Sequence, residues 1–94
     1  MRVLRIEHSV PDFDGWKRAF DSDPADRKGS GVRRYQVYRS VEDPNFVMID
    51  LEFDSLGEAE GLLATMRRVW SGEGQKVMRN PQARIVERVE ATEV

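Results

Sequence analysis

The chain has 94 residues, 39% of them hydrophobic and 34% charged, with a formal net charge of −2 and the two signs interspersed. That length suits a single domain, read here as residues 1–94, and the charge balance gives no pull toward nucleic acid or an anionic membrane. With no cysteine and one histidine, disulfides, thiolate nucleophiles, cysteine zinc sites and a histidine-rich metal site within one chain are excluded, so no metal is expected.

"MRVLRIEHSV" carries charges at Arg2, Arg5 and Glu7 and does not read as a signal peptide. No apolar run approaches the roughly 20 residues of a membrane helix, so the expectation is a soluble cytoplasmic protein. The excess of arginine over lysine hints at a GC-rich bacterial genome.

The first element, 2–10, sets Leu4, Ile6, His8 and Val10 against Val3, Arg5, Glu7 and Ser9, the period-2 pattern of a strand with one apolar face. Pro11 ends it. Asp12 is a good N-cap for a helix whose stripe is Phe13, Trp16 and Phe20, with Asp14–Arg18 and Lys17–Asp21 as i,i+4 pairs. The segment 23–31 reads as a short helical turn with Asp23 as N-cap, Pro24 first inside it and Gly29 or Gly31 stopping it. A strand follows at 32–41. "DPNF" (43–46) fits a type I turn with Pro44 in second position, and the strand 46–53 completes a hairpin.

"SLGE" (55–58) is a capping box with Ser55 as N-cap and Glu58 reaching back. The helix behind it carries Leu56, Ala59, Leu62, Leu63, Met66, Val69 and Trp70 on one face. Gly72, Gly74 and Pro81 mark 71–81 as a connector, with "QKVMR" (75–79) as a loose helical turn inside it. The last strand spans 83–91.

The order β-α-β-β-α-β defines an α+β, ferredoxin-like fold: an antiparallel sheet in the order 4-1-3-2 with both helices on one face. The helix-facing set is Leu4, Ile6, Val47, Ile49, Leu51, Phe53, Ile85 and Val89, joined by Tyr35 and Val37. The other face shows Val3, Arg5, Glu7, Met48, Asp50, Glu52, Val86 and Arg88, with Arg34, Gln36 and Tyr38. RNA-recognition sheets present aromatic and basic residues on that face, where this chain offers Asp50 and Glu52. Asp50, central in its strand, calls for an arginine partner, Arg5 or Arg88. No P-loop, dinucleotide fingerprint, G-x-S-x-G elbow or H-E-x-x-H is present.

The strand end "EHSV", the helix "DFDGWKRAFD", the lead-in "DPADRKGSGV", the hairpin "VYRSVEDPNFVMIDLEF" and the helix opening "SLGEAEGLL" together resemble the dimeric α+β barrel superfamily, that is, the antibiotic-biosynthesis monooxygenases and related small proteins. Within it, His8, Val10, Asp12, Phe13, Asp14 and Trp16 resemble the His–x–Val–x–Asp–Phe/Tyr–Asp–x–Trp pattern of a small bacterial subgroup. The resemblance covers nearly the whole chain. It implies a homodimer with its sheets packed face to face, and a pocket for a small organic ligand, hydrophobic or aromatic, between sheet and helices of each subunit. An alternative it implies is a cofactor-independent monooxygenase, cyclase or isomerase acting on a small aromatic or polyketide-like compound. Haem degradation is disfavoured, because His8 lies on the first strand and the haem-ligating histidine of such relatives sits on a later helix.

By parity His8 points toward the helices near its strand end. Two roles stand open: a satisfied structural group, or a base or hydrogen-bond donor toward a ligand. Trp16, Phe20, Tyr35 and Met66 are then the ligand-binding walls, against the alternative of core packing. Trp70 reads as a boundary or dimer contact. Asp12 and Asp14 have local capping and pairing duties. Arg27 either anchors an anion or holds Asp23 and Asp26.

Overall fold

A computed structural model describes residues 1–72 and 79–94. In chain order it contains β1 (Arg2–Ser9), α1 (Phe13–Asp21), β2 (Arg34–Arg39), β3 (Phe46–Phe53), α2 (Leu56–Trp70) and β4 (Arg79–Glu87). The sheet order is β2-β3-β1-β4, antiparallel throughout, which is the expected 4-1-3-2 arrangement read from the other edge.

The alternation in β1 sets the architecture. Leu4, Ile6 and His8 face the helices and pair with Leu51, Ile49 and Val47 on β3. With Phe53, Ala59, Leu62 and Trp16 they form the core, in which Leu4, Val47, Phe53 and Ala59 are fully buried. Each fully buried aliphatic or aromatic side chain contributes about 1.5–3 kcal/mol.

Both helix starts are capped as expected. Asp12 Oδ2 accepts from the Gly15 N–H at 2.9 Å, and Ser55 Oγ accepts from the Glu58 N–H at 3.2 Å. Glu58 reaches back to the Ser55 hydroxyl, which donates to Oε1 at 3.1 Å. The 43–46 turn closes with Phe46 N–H donating to the Asp43 carbonyl at 3.0 Å. Its tip then steers the start of α1: the Asn45 side chain accepts from Phe13 N–H, and the Asn45 carbonyl accepts from Val10 N–H.

Four expectations are corrected. First, 23–31 is a run of turns and not a helical turn. Asp23 has φ 57 and Asp26 φ 50, left-handed values that an N-cap, which is extended, does not adopt. Asp23 Oδ1 instead accepts from the Arg27 N–H at 2.9 Å. Second, the Lys17–Asp21 pair forms at 2.7 Å, while among the described residues Asp14 and Arg18 form no ion pair. Third, β2 is shorter than expected, Arg34–Arg39.

Fourth, β4 runs over Arg79–Glu87, not 83–91. Its register is set by β1: Arg2 pairs with Glu87, so the chain beyond has almost no strand to pair with, and Val89 is 92% exposed instead of helix-facing. At the other end the strand passes through Pro81. Pro81 is tolerated because β4 is an edge strand and its register with β1 slips between Glu7 and Ser9. Asn80, at φ 54, takes the left-handed conformation at this bulge. The helical turn expected over 75–79 lies, at 75–78, outside the described residues.

On the face away from the helices, Arg5 grips Asp50 through two hydrogen bonds, 2.9 and 3.0 Å. Glu52, only 1% exposed, accepts from Gln36 at 2.9 Å and lies 3.2 Å from Arg88. No helix among the described residues is long and apolar enough to cross a membrane.

Candidate functional site

The apolar stripe of α1 and the helix-facing side of β1 meet in a line of rings. His8 and Trp16 pack edge to face with centroids 5.7 Å apart, Trp16 and Phe20 are 5.1 Å apart, and Phe20 meets Tyr35 edge to face at 5.3 Å. Phe13 closes one end at 5.8 Å from Trp16. Arginines cap both ends, Arg39 lying 4.6 Å from the Phe13 ring and Arg27 4.0 Å from the Phe20 ring. Such contacts are worth about 0.5–1.5 kcal/mol each beyond the area they bury.

Between this line, the sheet and α2 lies a cavity of about 130 Å³. His8, Trp16, Phe20 and Met66 line it, closed by Ile6, Ile49, Leu51 and Leu62. Almost all of its surface is apolar, with the His8 imidazole and Arg27 as its ionisable groups. Tyr35, the remaining residue read as a wall, does not line the cavity. It lies behind Phe20 and is 43% exposed, because β2 is an edge strand. The structure therefore brings His8, Trp16, Phe20 and Met66 together and leaves Tyr35 outside.

Several lining residues were not singled out from the sequence. Ala19, Pro24 and Ala25 form the wall under the α1–β2 connection. Their signal is only smallness: an alanine at a half-buried helix or loop position leaves room where a larger side chain would fill the gap. Arg27 also lines the cavity and is held by donating from Nη1 to the Phe20 carbonyl at 2.8 Å. It does lie near Asp23, 3.5 Å away.

His8 is 1% exposed. Burial lowers the pKa of its imidazole, and a contact with the Ser9 carbonyl only partly opposes this, so the ring is neutral at pH 7. Nδ1 lies 3.3 Å from the Ser9 carbonyl oxygen, a long hydrogen bond that requires the proton on Nδ1. Nε2 then carries a lone pair, and among the described residues it has no hydrogen-bond partner. The β4 bulge falls beside His8, which has no paired residue on that strand. Bulges are enriched beside functional sites, where they re-aim a side chain or end a ladder. A neutral imidazole with a free lone pair, set in an apolar cavity, can accept a hydrogen bond from a phenol or take an acidic proton.

The βαββαβ order and the β2-β3-β1-β4 sheet define the class of fold, a ferredoxin-like one, and solved structures of that fold include proteins described as antibiotic biosynthesis monooxygenases. Among solved structures the chain is similar to a protein from Nitrosomonas europaea provisionally described as an antibiotic biosynthesis monooxygenase, with TM-score 0.72, 17% identity, and coverage of 96% of this chain and 100% of that one. It is also similar to SnoaB, a cofactor-independent oxygenase from Streptomyces nogalater, with TM-score 0.77, 10% identity, and coverage of 96% and 94%. A third similar structure is a dimeric ferredoxin-like protein from an uncultured marine organism, with TM-score 0.71, 10% identity, and coverage of 97% of each chain. No family model matches the chain, and no curated protein matches it by sequence. At these identities the likeness concerns the fold.

Proposed function

We propose that this single-domain protein binds a small aromatic compound in the cavity between sheet and helices, with His8 Nε2 as the acceptor that orients it. The observation that carries the reading is a buried, neutral histidine with one unbonded ring nitrogen among the residues that line an almost wholly apolar cavity. Size supports one ring: an engineered apolar cavity of about 150 Å³ takes up benzene, and this one is about 130 Å³. The test is titration of phenol and toluene, two probes of nearly the same shape. Phenol should bind about fivefold more tightly, the value of one modest hydrogen bond, and His8→Leu should remove that preference. Equal affinities in the parent protein would contradict the role of His8.

A second reading, a cofactor-independent monooxygenase, cyclase or isomerase, draws on the same lone pair. There Nε2 would take a proton from an acidic phenol or a 1,3-dicarbonyl carbon. The similarity in fold to a cofactor-independent oxygenase supports that chemistry without assigning it. Turnover of a bound phenol under oxygen, lost in His8→Leu, separates it from binding alone.

We also propose that two copies pair through the open sheet face, where Tyr38 is 51% exposed beside half-buried Met48, with half-buried Val86 on the opposite edge strand. The similarity to a dimeric ferredoxin-like protein supports this. Sedimentation at micromolar concentration should show a dimer, and a monomer there would contradict it.

A further inference from the structure

The α1–β2 connection and the start of β2 form a second, open concavity of about 460 Å³ just outside the cavity. Arg27, Lys28, Arg33 and Arg34 line it, with Asp23 and Tyr35. Four cations in one concavity stand out on a chain whose net charge is −2. Nearby carboxylates offset part of this charge. Arg33 lies 2.8 Å from Asp54, Arg27 lies 3.5 Å from Asp23, and Arg34 is 3.8 Å from Glu52, which sits closer to Arg88. Among the described residues Lys28 alone of the four forms no ion pair.

Arg27 is the wall shared by the two spaces. Its guanidinium lies 4.0 Å from the ring of Phe20, which lines the cavity, and 4.8 Å from the ring of Tyr35, which lines the concavity. Its Nη1 is committed to the Phe20 carbonyl, which fixes the fork in place while other N–H groups remain. Arginine presents a planar set of donors matched to a carboxylate.

We infer that the ligand is a single-ring aromatic acid, with its ring in the apolar cavity and its carboxylate over the Arg27–Lys28–Arg33 cluster. The inference rests on the cavity reading above and adds the charged end. A carboxylate would pair Lys28, the one cation of the four without an ion pair among the described residues, and a short linker between ring and carboxylate matches the position of Arg27 between the two spaces.

The test compares 3-phenylpropionate with its neutral isostere 3-phenylpropanamide by calorimetric titration of the full chain, at low and high salt. The acid should bind about tenfold more tightly at low salt, with the advantage shrinking at high salt. Lys28→Gln with Arg33→Gln should cut the advantage to about twofold, since both side chains are exposed and each offers the carboxylate a screened charge. Equal affinity for acid and amide, or a double variant that keeps the full advantage, would overturn the charged subsite and leave the cavity reading standing. Binding of neither probe would overturn the cavity reading, and this inference with it.

Discussion

His8→Leu separates the two roles open to the histidine, because they differ in sign. If His8 is structural, its loss is costly. The structure gives it little to lose: one hydrogen bond, to the Ser9 carbonyl at 3.3 Å, at the low end of about 0.5–1.5 kcal/mol, and an edge contact with Trp16 at 5.7 Å, worth about 0.5–1.5 kcal/mol. Against these stands the burial of a leucine side chain in a 1% exposed site, about 1.5–3 kcal/mol. The variant should therefore lie between about 0.5 kcal/mol less and about 2 kcal/mol more stable at pH 7.5. The pH dependence gives a second reading. Burial lowers the folded-state pKa of His8, so the unfolded chain binds this proton first, at about pH 6.5. Stability from the neutral imidazole is thus fully present above pH 6.5 and is lost as pH falls toward the lower folded value. Between pH 7.5 and 5.5 the parent should lose up to about 1.4 kcal/mol that the variant keeps, the limit set by one proton bound only in the unfolded state. Urea denaturation of both proteins at the two pH values measures each term, and shared carboxylate titrations cancel. A loss of about 2 kcal/mol or more in the variant at pH 7.5, or identical pH dependence in both proteins, would refute this reasoning.

Other expected outcomes test the frame around the site. Ser55→Ala should cost about 1 kcal/mol by urea denaturation, because it removes the acceptor of the Glu58 N–H, while Ser55→Asp should recover most of that loss. Arg88→Ala withdraws the cation nearest the buried Glu52 carboxylate and should cost about 1 kcal/mol at pH 7, after allowing for the exposure of Arg88. Burial pushes the Glu52 carboxyl pKa up, but hydrogen bonds from Arg88 and Gln36 and the charges of Arg88 and Arg34 outweigh it and leave the pKa lowered. That stabilisation is present above the ordinary glutamate range and is lost as pH falls through the lowered value, so parent and variant should converge in acid. A gap that widens on acidification would contradict it.

What could be read from the chain was what short-range periodicity governs. The even positions of β1 placed Leu4, Ile6 and His8 on the helix side, and a period of two leaves no other choice once one face is buried. Ser55 and Asp12 were legible as caps because capping is a local exchange between a side chain and an N–H two or three residues on. The misplaced features depend on partners far along the chain. The ends of β4 follow from where β1 begins and from a bulge that lets Pro81 stay in an edge strand, and neither is written near residue 81. Asp23 was read as a cap from its neighbour Pro24, yet the turns that follow hold it in the left-handed region. Tyr35 had the right parity but sits on an edge strand, outside the cavity. The cavity itself depends on what Ala19 and Ala25 lack, and small residues carry no periodic signal. That Asp50 needs an arginine partner, Arg5 or Arg88, was legible in advance, and the structure selects Arg5, whereas the burial of Glu52 required several long side chains to close over it.

The most direct test of the central claim is a methyl NMR titration of protein carrying ¹³C-labelled methionine methyl groups with 3-phenylpropanamide. Met66 lines the cavity, while Met48 lies on the opposite face of the sheet, paired with Glu7 and Tyr38. A ring entering the cavity should shift the Met66 methyl signal and give cross-relaxation between that methyl and the ligand ring protons, with Met48 unmoved. A response at Met48 with none at Met66 would place the ligand on the open sheet face and contradict the account.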